Sequence, residues 1–257
     1  MPVKSPTDVM SQAVASGRAK ATIPLKRLIL MSVLAGAYIA LGGVLSVIGG
    51  YGFPGAPVGV QKLVSGALFP IGLILIVVLG GELFTGNNAM LIPAYMRRDY
   101  TFGAVLRNWT VVYFGNFAGA LAFAWLMVYM AGLTAGAPYH DAVIGIAEGK
   151  VSMSWLTVFI KGIGANWCVC LALWLAMSGR RLIEKMAGCW LPVMAFVALG
   201  YEHSIANMFF IPLGMMEGAT VTVGQMVIDN LIPATLGNIV GGAVFVALPH
   251  AALHMRR

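Results

Sequence analysis

Six long apolar stretches dominate this chain, at about residues 28–50, 63–96, 103–133, 155–178, 187–215 and 228–252, and the second and fifth are interrupted. A membrane-spanning helix needs roughly 20 apolar residues, so each stretch is long enough to cross a bilayer. Composition agrees: 60% of the 257 residues are hydrophobic and 10% are charged, and the mean hydropathy is +0.87. A water-soluble domain of this size does not carry that balance, so lipid must be the solvent for most of the surface.

The charges report the topology. Thirteen of the sixteen Lys and Arg fall in residues 4–27, 97–107, 180–185 and the last two positions, leaving Lys62, Lys150 and Lys161. With six crossings these basic stretches all land on one face. The positive-inside rule then predicts both termini in the cytoplasm, in an inner membrane. The net charge of +7 is explained by this asymmetry, and no nucleic acid is expected as a partner.

Residues 1–25 lack the basic-then-apolar order of a cleavable signal. They read as a cytoplasmic N-terminal segment in which Ser5, Thr7 and Asp8 can cap a short helix lying against the membrane or the bundle. Residues 26–257 read as a single transmembrane pore domain. Cys168, Cys170 and Cys189 lie in or beside apolar stretches and are expected to act as small hydrophobes, with no disulfide, metal or cofactor.

An internal repeat organises the apolar stretches. Gly81-Glu82-Leu83-Phe84-Thr85-Gly86-Asn87 and Tyr201-Glu202-His203-Ser204-Ile205-Ala206-Asn207 both carry Glu followed five positions later by Asn, at an offset of 120. The following stretches match at an offset of 122, Gly115-Asn116-Phe117-Ala118-Gly119-Ala120 against Gly237-Asn238-Ile239-Val240-Gly241-Gly242. The halves are about 26–133 and 155–254. Each contains three crossings, an odd number, so the second copy runs inverted, an arrangement shared by many pores and transporters with paired broken helices.

A break inside lipid leaves backbone groups that cost several kcal/mol each unless protein or pore water satisfies them. Glu82, Asn87, Glu202 and Asn207 are the expected partners that tie the broken backbone together. Gly115, Gly119, Gly237 and Gly241 form small-xxx-small stripes expected to serve close helix packing.

His203 is the one histidine deep in an apolar stretch, and it sits at an interruption, where an imidazole can face a pore and switch its charge. A neutral histidine bonded to backbone is the plainer alternative. Lys150 is expected in an external loop before the fourth stretch, positioned to draw in anions. Lys161, near the outer end of that stretch, needs no role beyond snorkelling to the interface.

Three signatures, Glu82 to Asn87, Asn166-Trp167-Cys168-Val169-Cys170-Leu171-Ala172 and Gly200 to Met208, resemble the formate/nitrite transporter family from about residue 25 onward. The resemblance implies an all-α, aquaporin-like fold of six transmembrane helices, an inverted 3+3 repeat with broken second and fifth helices, assembled as a homopentamer with one pore per protomer. It implies His203 as the central pore histidine, Lys150 as the outer vestibule lysine, and Thr85 and Asn166 as polar neighbours of the histidine. Leu83, Phe84 and Val169 match the cytoplasmic constriction, and Phe69, Leu73 and Phe196 the periplasmic one.

The expected function is a channel or transporter for a small monovalent anion, formate first, with nitrite and hydrosulfide as alternatives. The anion either gains a proton through His203 and passes as the neutral acid, or passes whole with a protonated His203 as counter-charge. A neutral-solute channel would share the architecture. An intramembrane enzyme is the remaining rival, because Glu202, His203 and Ser204 are adjacent. Neighbours on a helix point about 100° apart, which makes that adjacency poor support for a triad.

Overall fold

The computed structural model describes residues 3–53 and 55–255. Arg256 and Arg257, counted among the charges of the cytoplasmic face, lie outside the described residues. Every regular element among the described residues is helical. In chain order these are α1 (Pro6–Ala21), α2 (Leu25–Tyr51), α3 (Val58–Leu68), α4 (Ile71–Leu79), α5 (Phe84–Met90), α6 (Ile92–Met96) and α7 (Phe102–Phe123). They continue with α8 (Tyr139–Val151), α9 (Trp155–Ser178), α10 (Leu182–Ala198), α11 (Ser204–Met216), α12 (Val223–Gln225), α13 (Ile232–Ile239) and α14 (Leu248–His254). Wider π-helical turns extend α7 to Tyr129 and join α12, α13 and α14 into one rod.

Five of these runs are long and apolar enough to cross a membrane: Leu25–Tyr51, Val58–Leu79, Phe102–Tyr129, Trp155–Ser178 and Val223–His254. Helices α10 and α11, with 17 and 13 residues, make a further apolar pair divided by a break. The second run is more divided than its sequence suggests, because Pro70 lacks an N–H and joints α3 to α4 before the main interruption.

Both breaks are built alike. Helix α4 stops at Gly80 with φ +85, and the chain after α10 turns at Gly200 with φ +69. Only glycine enters that left-handed region without a Cβ penalty, so each glycine ends a helix that lipid would otherwise extend. The Gly80 and Gly81 N–H groups both donate to the Ile76 carbonyl, and the Tyr201 N–H donates to that of Phe196. Three residues of extended chain then lead into α5 and α11.

The glycine stripes pack helices as their spacing implies. A Cβ on Gly119 would lie 1.9 Å from the Val33 carbonyl oxygen of α2, and one on Gly237 would lie 2.2 Å from the Phe159 carbonyl of α9. Helix α1 is capped by Ser5, whose hydroxyl oxygen accepts from the Asp8 N–H at 3.2 Å. It lies on the bundle: Val9, Met10, Ala13 and Val14 bury against Ala89, Met90, Trp174 and Ala251. A bidentate pair from Arg18 to Asp99, at 2.6 and 3.0 Å, clasps its far end, and the guanidinium holds the Asp99 carboxyl below the usual carboxylate range.

A side chain at the α2–α7 contact must push backbone apart, whereas Gly145 of α8 faces open space. Gly119→Ala is therefore expected to lower stability by about 1–3 kcal/mol or more through overpacking. Gly145→Ala should be neutral or stabilising by about 0.5–1 kcal/mol. Thermal unfolding of the purified variants in detergent measures both.

Candidate functional site

The two breaks meet at a hydrogen bond between Thr85 Oγ1 and His203 Nε2, 2.9 Å long and fully enclosed. His203 is the N-cap of α11, and its Nδ1 accepts from the Ala206 N–H at 3.1 Å. An acceptor at Nδ1 places the proton of a neutral ring on Nε2, which then donates to the Thr85 hydroxyl. The imidazole also stacks on Phe196, with centroids 5.7 Å apart.

Two cavities approach this pair. One, of about 240 Å³, is lined by His203, Phe69, Phe196, Lys62 and Lys150 among others. The other, of about 620 Å³, is lined by Lys20, Glu82, Leu83 and Gly86, with the second half of α1 and the start of α10 contributing. Phe69 meets Phe196 edge to face at 5.8 Å. Leu73, expected with them, lines the larger cavity beside Leu83 instead. It is one turn further along, about 6 Å deeper. Phe84 and Val169 line neither cavity; Phe84 turns its ring to Tyr113, 5.0 Å away.

The backbone freed at the breaks is held by residues other than those expected. Asn116 of α7 accepts from the Phe84 N–H at 2.9 Å and donates to the carbonyls of Ser32 and Glu82. Asn238 of α13 accepts from the Ser204 N–H at 2.8 Å and donates to the carbonyls of Gly162 and Glu202. The Phe84 N–H and Glu82 carbonyl, and the Ser204 N–H and Glu202 carbonyl, belong to the breaks; the Ser32 and Gly162 carbonyls belong to the neighbouring α2 and α9. Both asparagines sit in the repeated Gly-Asn pattern, whose signal pointed to the glycines alone.

Glu82, Asn87, Glu202 and Asn207 instead make side-chain knots next to the breaks. Asn87 Nδ2 donates to Glu82 and to Asn108, Asn108 donates to the Lys20 carbonyl, and Lys20 Nζ pairs with Glu82 at 2.6 Å. On the other side Asn207 donates to Glu202 and Asn230, Asn230 donates to the Lys150 carbonyl, and Lys150 Nζ pairs with Glu202 at 3.0 Å. Lys20, Asn108 and Asn230 were not singled out from the sequence. Their offsets, 130 for the lysines and 122 for the asparagines, differ from that of the Glu/Asn pairs.

Lys150 therefore departs from its expected place. It lies on helix α8, not in a loop, and its charge is matched by a buried carboxylate. Asn166 donates to the carbonyls of Thr85 and Asn238, at 3.0 and 2.6 Å, bracing both breaks beside the Thr85–His203 bond. Lys161 contributes its carbonyl, which accepts from the Glu202 N–H.

The sequence model of the formate/nitrite transporter family matches residues 7–252. The chain belongs to this family. Among its relatives is a probable formate transporter of Methanothermobacter thermautotrophicus, 42% identical over 95% of this chain and 94% of the relative. The formate channel FocA of Escherichia coli is 36% identical over 98% of this chain and 94% of its own. A solved structure described as a pentameric formate channel with formate bound superposes with a TM-score of 0.79 at 32% identity, covering 90% of this chain and 98% of that one. A second, described as an ion channel of the family, reaches 0.87 at 30% identity over 96% and 99%. Family membership and the apolar helices make this formate/nitrite transporter homologue a membrane protein.

Removing the lysine of a buried pair strands its carboxylate. Lys150→Met should cost about 3–5 kcal/mol, and Glu202→Gln in the same chain should recover much of it; thermal unfolding of single and double variants reads the cycle. Asn238→Ala orphans the Ser204 N–H and the Glu202 carbonyl and should cost about 2 kcal/mol or more. Unfolding of that variant in the same detergent gives the number.

Proposed function

We propose that this protein conducts a small monovalent anion, formate first, across the inner membrane. It does so through a pore in each protomer of a homopentamer. The reading takes six crossings as an aquaporin-like inverted 3+3 repeat with both termini cytoplasmic, residues 26–257 forming the pore domain behind the segment 1–25. The observation that carries it is the Thr85–His203 bond, which closes the layer between two cavities. His203 faces one, and Leu83 and Gly86, flanking Thr85, face the other.

The anion enters the smaller, outer cavity past Lys62 and the Lys150–Glu202 pair and meets the ring of Phe69 and Phe196. An apolar ring replaces no water contacts, so it penalises a bare anion far more than the small conjugate acid, which gives up hydrogen bonds worth a few kcal/mol. A proton reaching the imidazole from the outer side passes to the anion, with Thr85 holding the ring in place. The neutral acid then crosses the cytoplasmic constriction at Leu83, Phe84 and Val169 and ionises again in the larger cavity. Asn166 and the knots of Glu82, Asn87, Glu202 and Asn207 keep the half-helices aligned. Nitrite and hydrosulfide, conjugate bases of small weak acids, satisfy the same requirements.

Uptake of formate, nitrite and hydrosulfide into proteoliposomes at two external pH values tests this, with glycerol as the neutral control. Formate flux should rise at acid pH. His203→Phe should lower it about a hundredfold, the scale of a lost proton-transfer group, and flatten its pH profile. A pH profile identical to that of the unmodified protein would remove the histidine from the mechanism; glycerol uptake alone would leave a neutral-solute channel.

A further inference from the structure

The larger cavity holds more than passage of a three-heavy-atom anion requires. At about 620 Å³ it is lined by Lys20, Arg27 and Lys185, and its lining contains one carboxylate, Glu82. That carboxylate is taken: Lys20 and Asn87 both bind it. The side chains of Arg27, at the start of α2, and Lys185, at the start of α10, form no hydrogen bond or ion pair with any of the described residues. Glu184, next to Lys185 in the chain, gives its carboxylate to the N–H groups of Arg180 and Arg181. The cavity thus presents two uncompensated cations from two separate helices.

The rest of the lining has a definite character. Ser16 on α1 has a hydroxyl with no bonded partner among the described residues, and the Gln12 amide has its NH2 donors free. Ile76, Leu83 and Met177 make part of the lining apolar. Two cations, neutral donors and apolar side chains in one lining suit an anion with two charges and a short carbon chain. Such a dianion cannot follow formate, because it would need two protons and a wider opening to enter the apolar layer beyond Leu83.

We propose that this vestibule is a binding site for a small organic dianion of the dicarboxylate class, held between Arg27 and Lys185 and plugging the pore from that side. The proposal rests on the pore reading for its blocking effect and on the cavity alone for binding. It makes the open pore sensitive to the pool of dicarboxylates on the vestibule side. Transport of the monoanion slows when that pool is full.

Titration calorimetry of the purified protein with succinate, against butyrate as a monoanion of equal chain length, tests the site. Succinate should bind at least tenfold more tightly than butyrate. Arg27→Gln and Lys185→Gln should each weaken it about fivefold, the effect of losing one contact between unit charges in a watery dielectric. Formate flux in sealed vesicles should then fall when succinate is added on one face only, and this block should be lost in the double variant. Equal binding of succinate and butyrate, or succinate affinity unchanged in the double variant, overturns the site. Binding that leaves formate flux untouched in vesicles of either orientation overturns the plug. A protein that binds succinate as expected but carries no formate would retire the pore reading and leave the site standing.

Discussion

Backbone that leaves a helix inside lipid has nowhere to find hydrogen bonds except in its own protein, and this fold is arranged around meeting that demand twice. Asn116 and Asn238 each supply the acceptor that one N–H of a break lacks and the donor that one carbonyl lacks, and each ties the break to a neighbouring helix through a second carbonyl. Their reach requires α7 and α13 to lie almost against α2 and α9, which is why glycines occupy the contact. The residues of the candidate pore follow from this. Thr85 and His203 begin half-helices whose first turns would otherwise be open, and the bond between them joins the two repairs into one.

The sequence shows where the chain breaks more clearly than it shows what mends it. Apolar runs, Glu–Asn pairs and the histidine at an interruption are all local patterns. The asparagines that satisfy the breaks lie about thirty residues further on, and spacing does not reveal which way an amide turns. Lys20 falls outside the apolar runs, so nothing local connects it to Glu82. The segment around Lys150 lies between two apolar stretches and reads as a loop, yet it forms helix α8, with Gly145 and Gly149 tolerated inside it. The resemblance groups Leu73 with Phe69 and Phe196, and one helical turn is enough to place it on the other cavity.

The two lysine–glutamate pairs are also a solution to a charge problem. A carboxylate buried beside a break is costly unless matched, and each is matched by one ammonium and by amide donors. Their cations are consequently less available to attract a passing anion than their positions suggest. Uncompensated charge sits elsewhere, on Lys62 at one cavity and on Arg27 and Lys185 at the other. Positioning and attraction are thereby divided between different residues.

Helix α1 precedes the first apolar run and is amphipathic, features that suggest a detachable appendage. Its Lys20 nevertheless completes the same kind of knot that Lys150 completes from within the bundle. Any movement that lifted α1 away would withdraw the ammonium while leaving Glu82 in place. Such a displaced state would leave that carboxylate with the Asn87 amide as its remaining partner. The N-terminal helix is better regarded as the last wall of the bundle, fastened from inside, than as a flap resting on it.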